Sequence, residues 1–283
     1  MAEILKGAPA AAALTEELAA RTAALKARGI EPSLAIVRVG ARGDDLAYER
    51  GAIKRCEKVG IAVRLYELAA DADQAELLAV IDEINRDRSI HGCLMFRPLP
   101  KHMDERAACE ALDVRKDVDC MTSRALASVF TGSGAGFAPC TAQSVIELLD
   151  YYGVELAGKR AAVVGRSLVI GRPVSLLLLG RNATVTMCHT KTENLPAVCR
   201  EADILVVAAG RAGTVTPEFV HPDQVVVDVG INALPGGRLA GDVDFGAVEP
   251  LVRAITPVPA GVGSMTTAVL CKHVVEAAER ALL

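Results

Sequence analysis

The sequence has no tryptophan, and only four tyrosines and five phenylalanines among its 283 residues. Single-stranded nucleic acid is bound by stacking bases on aromatic rings, and so few rings argue against such a surface. Positive charge is not in excess either. The 31 Lys and Arg stand against 35 Asp and Glu, for a net charge of −4, so there is no basic footprint for DNA or RNA. No apolar run approaches the roughly 20 residues that span a bilayer; Ile204 to Ala209 is among the longest. The N-terminus lacks a basic segment followed by an apolar run and a cleavage site. The eight cysteines form no CxxC pair and no Cys/His cluster at zinc spacing, so they read as reduced and structural, with no metal site. These absences predict a soluble cytoplasmic protein without nucleic-acid or membrane partners.

What is present is 51% apolar residues, ample for a core. At roughly 100–200 residues per domain, the length suggests two domains or one large α/β domain. Short β-rich runs alternate with helical patterns, the mark of parallel βαβ units. The first series predicts a helix over 9–28, a strand over 34–39, a helix over 45–59 and a strand over 62–68. A helix over 73–86, a strand over 92–96 and the Pro98-Leu99-Pro100 turn complete it. A less regular stretch ends in Gly132-Ser133-Gly134-Ala135-Gly136, where clustered Gly and Ser sustain neither helix nor strand and a domain boundary is expected. The second series opens with a helix over 142–152. Strands follow over 160–164, 184–188, 204–208 and 224–229, with a helix from Pro173 and a last helix over 265–282. Four buried strands with intervening helices predict a doubly wound nucleotide-binding domain.

The loop Gly165-Arg166-Ser167-Leu168-Val169-Ile170-Gly171-Arg172-Pro173 follows a strand and opens a helix. Gly165 permits a tight turn, Gly171 a close backbone approach, and Pro173 suits a first helical turn. Backbone amides and the helix dipole there can hold a pyrophosphate, although the spacing is not GxGxxG. The charge at the end of the next strand selects the dinucleotide. NAD sites commonly place a carboxylate there, whereas NADP sites offer cations. Here the strand runs into Cys188-His189-Thr190-Lys191-Thr192, without a carboxylate. With Arg166 close by in the first loop, Thr190 and Lys191 favour NADP.

Several segments together resemble the bifunctional methylenetetrahydrofolate dehydrogenase/methenyltetrahydrofolate cyclohydrolase family. They are Tyr48 with Cys56-Glu57-Lys58-Val59-Gly60-Ile61, the Pro98-Leu99-Pro100 turn, Lys116-Asp117-Val118-Asp119, and Pro139-Cys140-Thr141. Gly165-Arg166-Ser167 with Gly171-Arg172-Pro173, Asp228-Val229-Gly230-Ile231 and Gly241-Asp242-Val243 follow. Thr256-Pro257-Val258-Pro259 and Gly261-Val262-Gly263 with Met265-Thr266 close the series. The resemblance implies a two-domain α/β protein. An N-terminal α/β folate-binding catalytic domain would take residues 1–138 plus 267–283, the C-terminal helix returning to it. A Rossmann-type doubly wound NADP-binding domain would take residues 139–266. It also implies a homodimer that binds tetrahydrofolate derivatives, polyglutamylated forms included, in one-carbon metabolism and purine biosynthesis. Tyr48 would stack on the aminobenzoyl ring and Asp119 would hydrogen-bond the pterin, with Pro259, Gly261 and Gly263 bordering the substrate. Gly165, Arg166, Ser167, Gly171, Arg172, Thr190, Lys191 and Ile231 would bind the cofactor.

Two positions depart from that pattern. The family's catalytic Lys, four residues after the Tyr, is Ala52 here, and the Gln that contacts it is Phe96. Ala260 and Ser264 also stand where Gly and Pro are usual. Hydride transfer needs mainly alignment of two rings, whereas opening the methenyl bridge gains from a positioned acid or base. The expectation is therefore NADP-dependent oxidation of 5,10-methylenetetrahydrofolate with weak or absent cyclohydrolase. The alternatives are full bifunctionality through a substitute side chain such as Arg97, a non-catalytic folate- or nucleotide-binding paralog, or a dehydrogenase for an unrelated small substrate. Asp228 and Asp242 flank β-rich runs, where they would hold loops at the sheet edge or touch a ligand indirectly.

Overall fold

The computed structural model describes residues 1–282. In chain order the first half comprises β1 (Glu3–Ile4), α1 (Gly7–Ala27), β2 (Ser33–Val39), α2 (Gly43–Val59), β3 (Ala62–Leu68) and α3 (Gln74–Arg86). β4 (Gly92–Met95), α4 (Glu105–Ala111), α5 (Ser123–Thr131) and α6 (Cys140–Tyr151) follow. The second half has β5 (Arg160–Val164), α7 (Gly171–Gly180), β6 (Thr184–Cys188), α8 (Leu195–Arg200), β7 (Ile204–Val207) and β8 (Val225–Asp228). It ends with β9 (Asn232–Ala233), β10 (Leu239–Ala240), α9 (Phe245–Val248), β11 (Ala254–Ile255) and α10 (Thr266–Arg280). Among the described residues, no helix is long and apolar enough to cross a membrane.

The chain divides into two compact units. One takes residues 12–140 and the chain from Thr267 on, so the last helix belongs with the first βαβ series. Its sheet is parallel, in the order β3-β2-β4. The central strand β2 is buried almost throughout, as a strand flanked and covered on both faces must be apolar. Helix α3 begins where the Asp73 carboxylate accepts the amide of Glu76, and it buries Leu77, Ile81 and Ile84, one stripe at helical spacing. Those side chains join Ala35, Val37, Cys93 and Met95 in the core. At Gly92 a Cβ would lie 2.7 Å from a Val118 methyl and 3.0 Å from one of Val274. That close approach seats α10 against β4.

The other unit takes residues 1–11 and 141–266. Its sheet has six strands, all parallel, in the order β1-β11-β8-β7-β5-β6. The sequence predicts only the four longer strands. β1 and β11 have two residues each, too few to show any periodicity. Their pairing, Glu3 with Ala254 and Ile4 with Ile255, also moves a boundary. Residues 1–11, expected in the first domain, belong to this unit because the first strand completes its sheet. All eight cysteines are buried and free, in accord with a structural role.

Candidate functional site

Helix α2 carries Tyr48 and, one turn on along the same face, Ala52. Asp44 and Asp45 in its first turn complement the helix dipole, and Gly60, at φ 85°, ends it in the left-handed conformation. Tyr48 is half-buried and Ala52 is 0% exposed. Phe96 follows β4 and donates its amide to the Val37 carbonyl at 2.9 Å. Its ring meets that of Tyr48 edge to face, with centroids 6.1 Å apart and planes at 83°. The start of α2 is tied to the same turn. Arg42 pairs with Asp45 at 2.7 Å and donates to the Arg97 carbonyl at 3.0 Å. An alkyl group and a phenyl ring thus occupy positions 52 and 96, and neither exchanges a proton.

The segment bearing Asp119 is anchored from several directions. Asp117 is buried and accepts the amides of Met121 and Thr122, both at 2.8 Å. His273, from α10, donates through Nδ1 to the Val118 carbonyl at 2.8 Å and stacks on Phe137. Burial pushes that imidazole down to about 4, so it is neutral. Asp119 accepts the Cys140 amide at 3.2 Å. Burial raises its carboxyl, while the Cys140 hydrogen bonds and the positive charge of Arg97 pull it back. Arg97 acts in the same sense on Asp117. The sequence offers Arg97 as the substitute side chain of the bifunctional alternative, and the structure brings its positive charge within electrostatic reach of the Asp119 carboxylate.

In the other unit the phosphate-type loop closes on itself. Gly165 has φ 131°, and a Cβ there would overlap the Ala208 carbonyl oxygen. One at Gly171 would overlap the Gly165 carbonyl oxygen. The Ser167 hydroxyl accepts the amides of Ile170 and Gly171, at 3.1 and 3.4 Å. Arg172 donates through Nε to the Arg166 carbonyl at 3.1 Å. These bonds fix the loop and leave Arg166 and Ser167 exposed. Because β5 and β6 pair in parallel, Val164 opposite Cys188, Arg166 stands at the same sheet edge as Thr190 and Lys191. All three are exposed, and the turn between His189 and Thr192 brings no carboxylate.

A cleft of about 270 Å³ opens at the ends of β8 and β11. It gathers Ile231 with Pro259, Gly261 and Gly263, so predicted cofactor and substrate residues share one wall system. Tyr48 and Asp119 lie in the other unit. Ala260, on the cleft rim, has φ 82°, and its carbonyl accepts the Gly7 amide at 2.9 Å. The left-handed conformation costs a residue with a Cβ about 1–2 kcal/mol. Ala260→Gly is therefore expected to stabilise the protein by up to about 1 kcal/mol, after the extra chain entropy of glycine is deducted. A urea midpoint that does not move upward would contradict this.

Beneath the cleft, Asp228 and Asp242 do hold loops. Burial pushes the Asp228 carboxyl up to about 6, against three backbone amides that it accepts.

Two family models match the chain. "Tetrahydrofolate dehydrogenase/cyclohydrolase, catalytic domain" covers residues 5–119, and the corresponding "NAD(P)-binding domain" covers 139–282. The bifunctional protein FolD of Carboxydothermus hydrogenoformans is 56% identical over 281 residues, 99% of this chain and 98% of that protein. Among solved structures, the bifunctional FolD methylenetetrahydrofolate dehydrogenase/cyclohydrolase of Campylobacter jejuni superposes with a TM-score of 0.94 at 39% identity, covering 99% of each chain. The Trypanosoma brucei methylenetetrahydrofolate dehydrogenase-cyclohydrolase, complexed with NADP and an inhibitor, gives 0.91 at 34% identity, over 99% and 98% of the two chains.

Proposed function

This chain belongs to the tetrahydrofolate dehydrogenase/cyclohydrolase family, and we propose that it oxidises 5,10-methylenetetrahydrofolate with NADP and hydrolyses the methenyl product. The observation that carries the second activity is the relative named bifunctional, 56% identical over nearly the whole chain. It weighs against the expectation of a weak cyclohydrolase. Homodimer formation and a supply of one-carbon units to purine biosynthesis belong to the same reading.

The residues present suit the cofactor. Two glycines keep the loop free of side chains where backbone must come close, and Arg166, Thr190 and Lys191 offer donors to a 2′-phosphate with no carboxylate among them. NADP supplies the hydride acceptor. Ile231 would pack on the cofactor at the cleft, and Pro259, Gly261 and Gly263 would border the folate. Tyr48 would stack on the aminobenzoyl ring, while the Asp119 carboxylate would accept the pterin N–H groups. No proton is exchanged in hydride transfer, so Ala52 and Phe96 do not impair it.

Hydrolysis is more demanding. A water oxygen adds to the cationic methenyl carbon and loses one proton to solvent, giving a neutral carbinol; the C–N5 bond then breaks as the hydroxyl gives up the second proton, leaving a formyl group on N10 and a proton on N5. Arg97 would stabilise the carbinol oxygen as that second proton leaves. An arginine is not a proton shuttle, so both protons would travel through solvent. A second reading, dehydrogenase with little cyclohydrolase, is favoured by Ala52 and Phe96 alone. Supplying the purified protein with methenyltetrahydrofolate separates the two. The expected result is decay well above the spontaneous rate; decay at the spontaneous rate, with NADPH still formed from methylenetetrahydrofolate, would establish the second reading.

A further inference from the structure

Ile231 is 65% exposed and stands on the wall of the cleft it shares with Pro259, Gly261 and Gly263. The residues on either side of it are both clamped by buried carboxylates. Asp228 accepts the Gly230 amide through Oδ1 at 3.0 Å. Asp242 accepts the Asn232 side-chain amide through Oδ1 at 2.9 Å. The two carboxylates also hold each other's surroundings. Asp228 Oδ1 accepts the Asp242 amide at 3.0 Å and Oδ2 the Val243 amide at 2.9 Å, while Asp242 Oδ2 accepts the Gly210 amide at 2.8 Å. Asp228 further donates its own amide to Thr256 Oγ1 at 2.7 Å, at the end of β11. No slack remains between them. A Cβ at Gly230 would overlap the Asp242 carboxyl, and one at Gly241 would overlap that of Asp228.

We propose that Asp228 and Asp242 are positioning residues for the cofactor, an interlocked carboxylate pair that holds Ile231 out into the cleft as a fixed platform for the nicotinamide ring. The proposal rests on the NADP reading above and adds the residues that act through Ile231. Charge-assisted bonds from backbone amides to a buried carboxylate are stronger than neutral ones. Two such anchors flanking one residue leave its side chain few alternatives. A rigid platform adds affinity by removing the ordering cost that a mobile loop would incur on binding.

Asp242→Asn tests the clamp, because the amide is isosteric but cannot accept from both Asn232 and the Gly210 amide. NADPH affinity, read from fluorescence titration, is expected to weaken about 10-fold, with the KM for methylenetetrahydrofolate changed less than twofold. Ile231→Ala is expected to weaken NADPH to a similar extent. The decisive measurement is the double variant, since residues acting through one another are not additive. Ile231→Ala with Asp242→Asn should bind NADPH no more weakly than Ile231→Ala alone. Additive losses would overturn the proposal by reducing the pair to general structural support, and so would an Ile231→Ala protein that binds NADPH normally. Should Asp242→Asn not fold, Asn232→Ala cuts the same tie without leaving a buried donor facing another, and enters the same cycle. Failure of the wild-type protein to bind NADPH would instead refute the cofactor reading itself.

Discussion

Replacing Arg97 by alanine is expected to lower methenyltetrahydrofolate hydrolysis by about 10²-fold, the scale of losing one preorganised donor to a developing oxyanion, while NADP-dependent oxidation changes less than threefold. The split follows from where charge develops. Collapse of the carbinol draws the proton off its hydroxyl and gathers negative charge on that oxygen, and a fixed guanidinium stabilises it. Hydride departure instead leaves a cation delocalised over two nitrogens, to which a nearby positive charge contributes nothing favourable. Arg97 acts electrostatically on both Asp117 and Asp119, so its charge is felt where the pterin would bind. The backbone of the turn is secured separately, through Arg42 and the Arg97 carbonyl, and that bond survives side-chain truncation. Assaying both half-reactions on one preparation checks the prediction. Equal losses in the two would mean that Arg97 only supports folate binding, and an unchanged hydrolysis would remove it from the reaction.

Gly165→Ala should raise the KM for NADP by about 10²-fold and leave folate binding untouched. The new methyl group would strike the Ala208 carbonyl oxygen at a φ of 131°, which side chains rarely adopt. The β5–α7 loop must then open, and with it the alignment of Arg166 toward Thr190 and Lys191. Strain and displacement of this kind amount to about 3 kcal/mol, and about 1.4 kcal/mol is a factor of ten in affinity. The sheet beneath should persist, because Ala161 to Val164 remain paired with strands on both sides. Titration with NADPH, alongside a thermal midpoint, separates the local effect from unfolding. A KM within threefold of wild type would show that the cofactor does not use this loop.

The sequence was most legible where its signals are local. Three strands, over 62–68, 160–164 and 184–188, fall on the residues that the pattern marks, because each gathers apolar or β-branched residues over at least five positions. Helix α2 begins two residues earlier than expected and α7 begins at Gly171 rather than Pro173. Helix starts depend on backbone hydrogen bonds that composition does not display. Short α4, α5 and α8 lay within stretches that carried no clear pattern. Tyr48 and Asp119 enter the expected site only through motif resemblance, since a lone Tyr on a helix or Asp in a loop carries no signal of its own. Neither His273 behind Val118 nor the charge of Arg97 beside Asp119 could be found that way, for both depend on chain segments far apart in sequence.

The sequence alone therefore determined the αβ alternation, the glycine-bearing loop, a strand end at Thr190 and Lys191 without a carboxylate, and the apolar side chains at positions 52 and 96. All of these are properties of a residue and its near neighbours. Only the tertiary structure assigned residues 1–11 to the six-stranded sheet, joined Ile231 to the Pro259–Gly263 loop in one cleft, and locked Asp228 to Asp242. Two-residue strands have no period to read. A carboxylate that accepts amides 14 and 15 residues away leaves no trace in spacing, because its partners are chosen by how the chain packs.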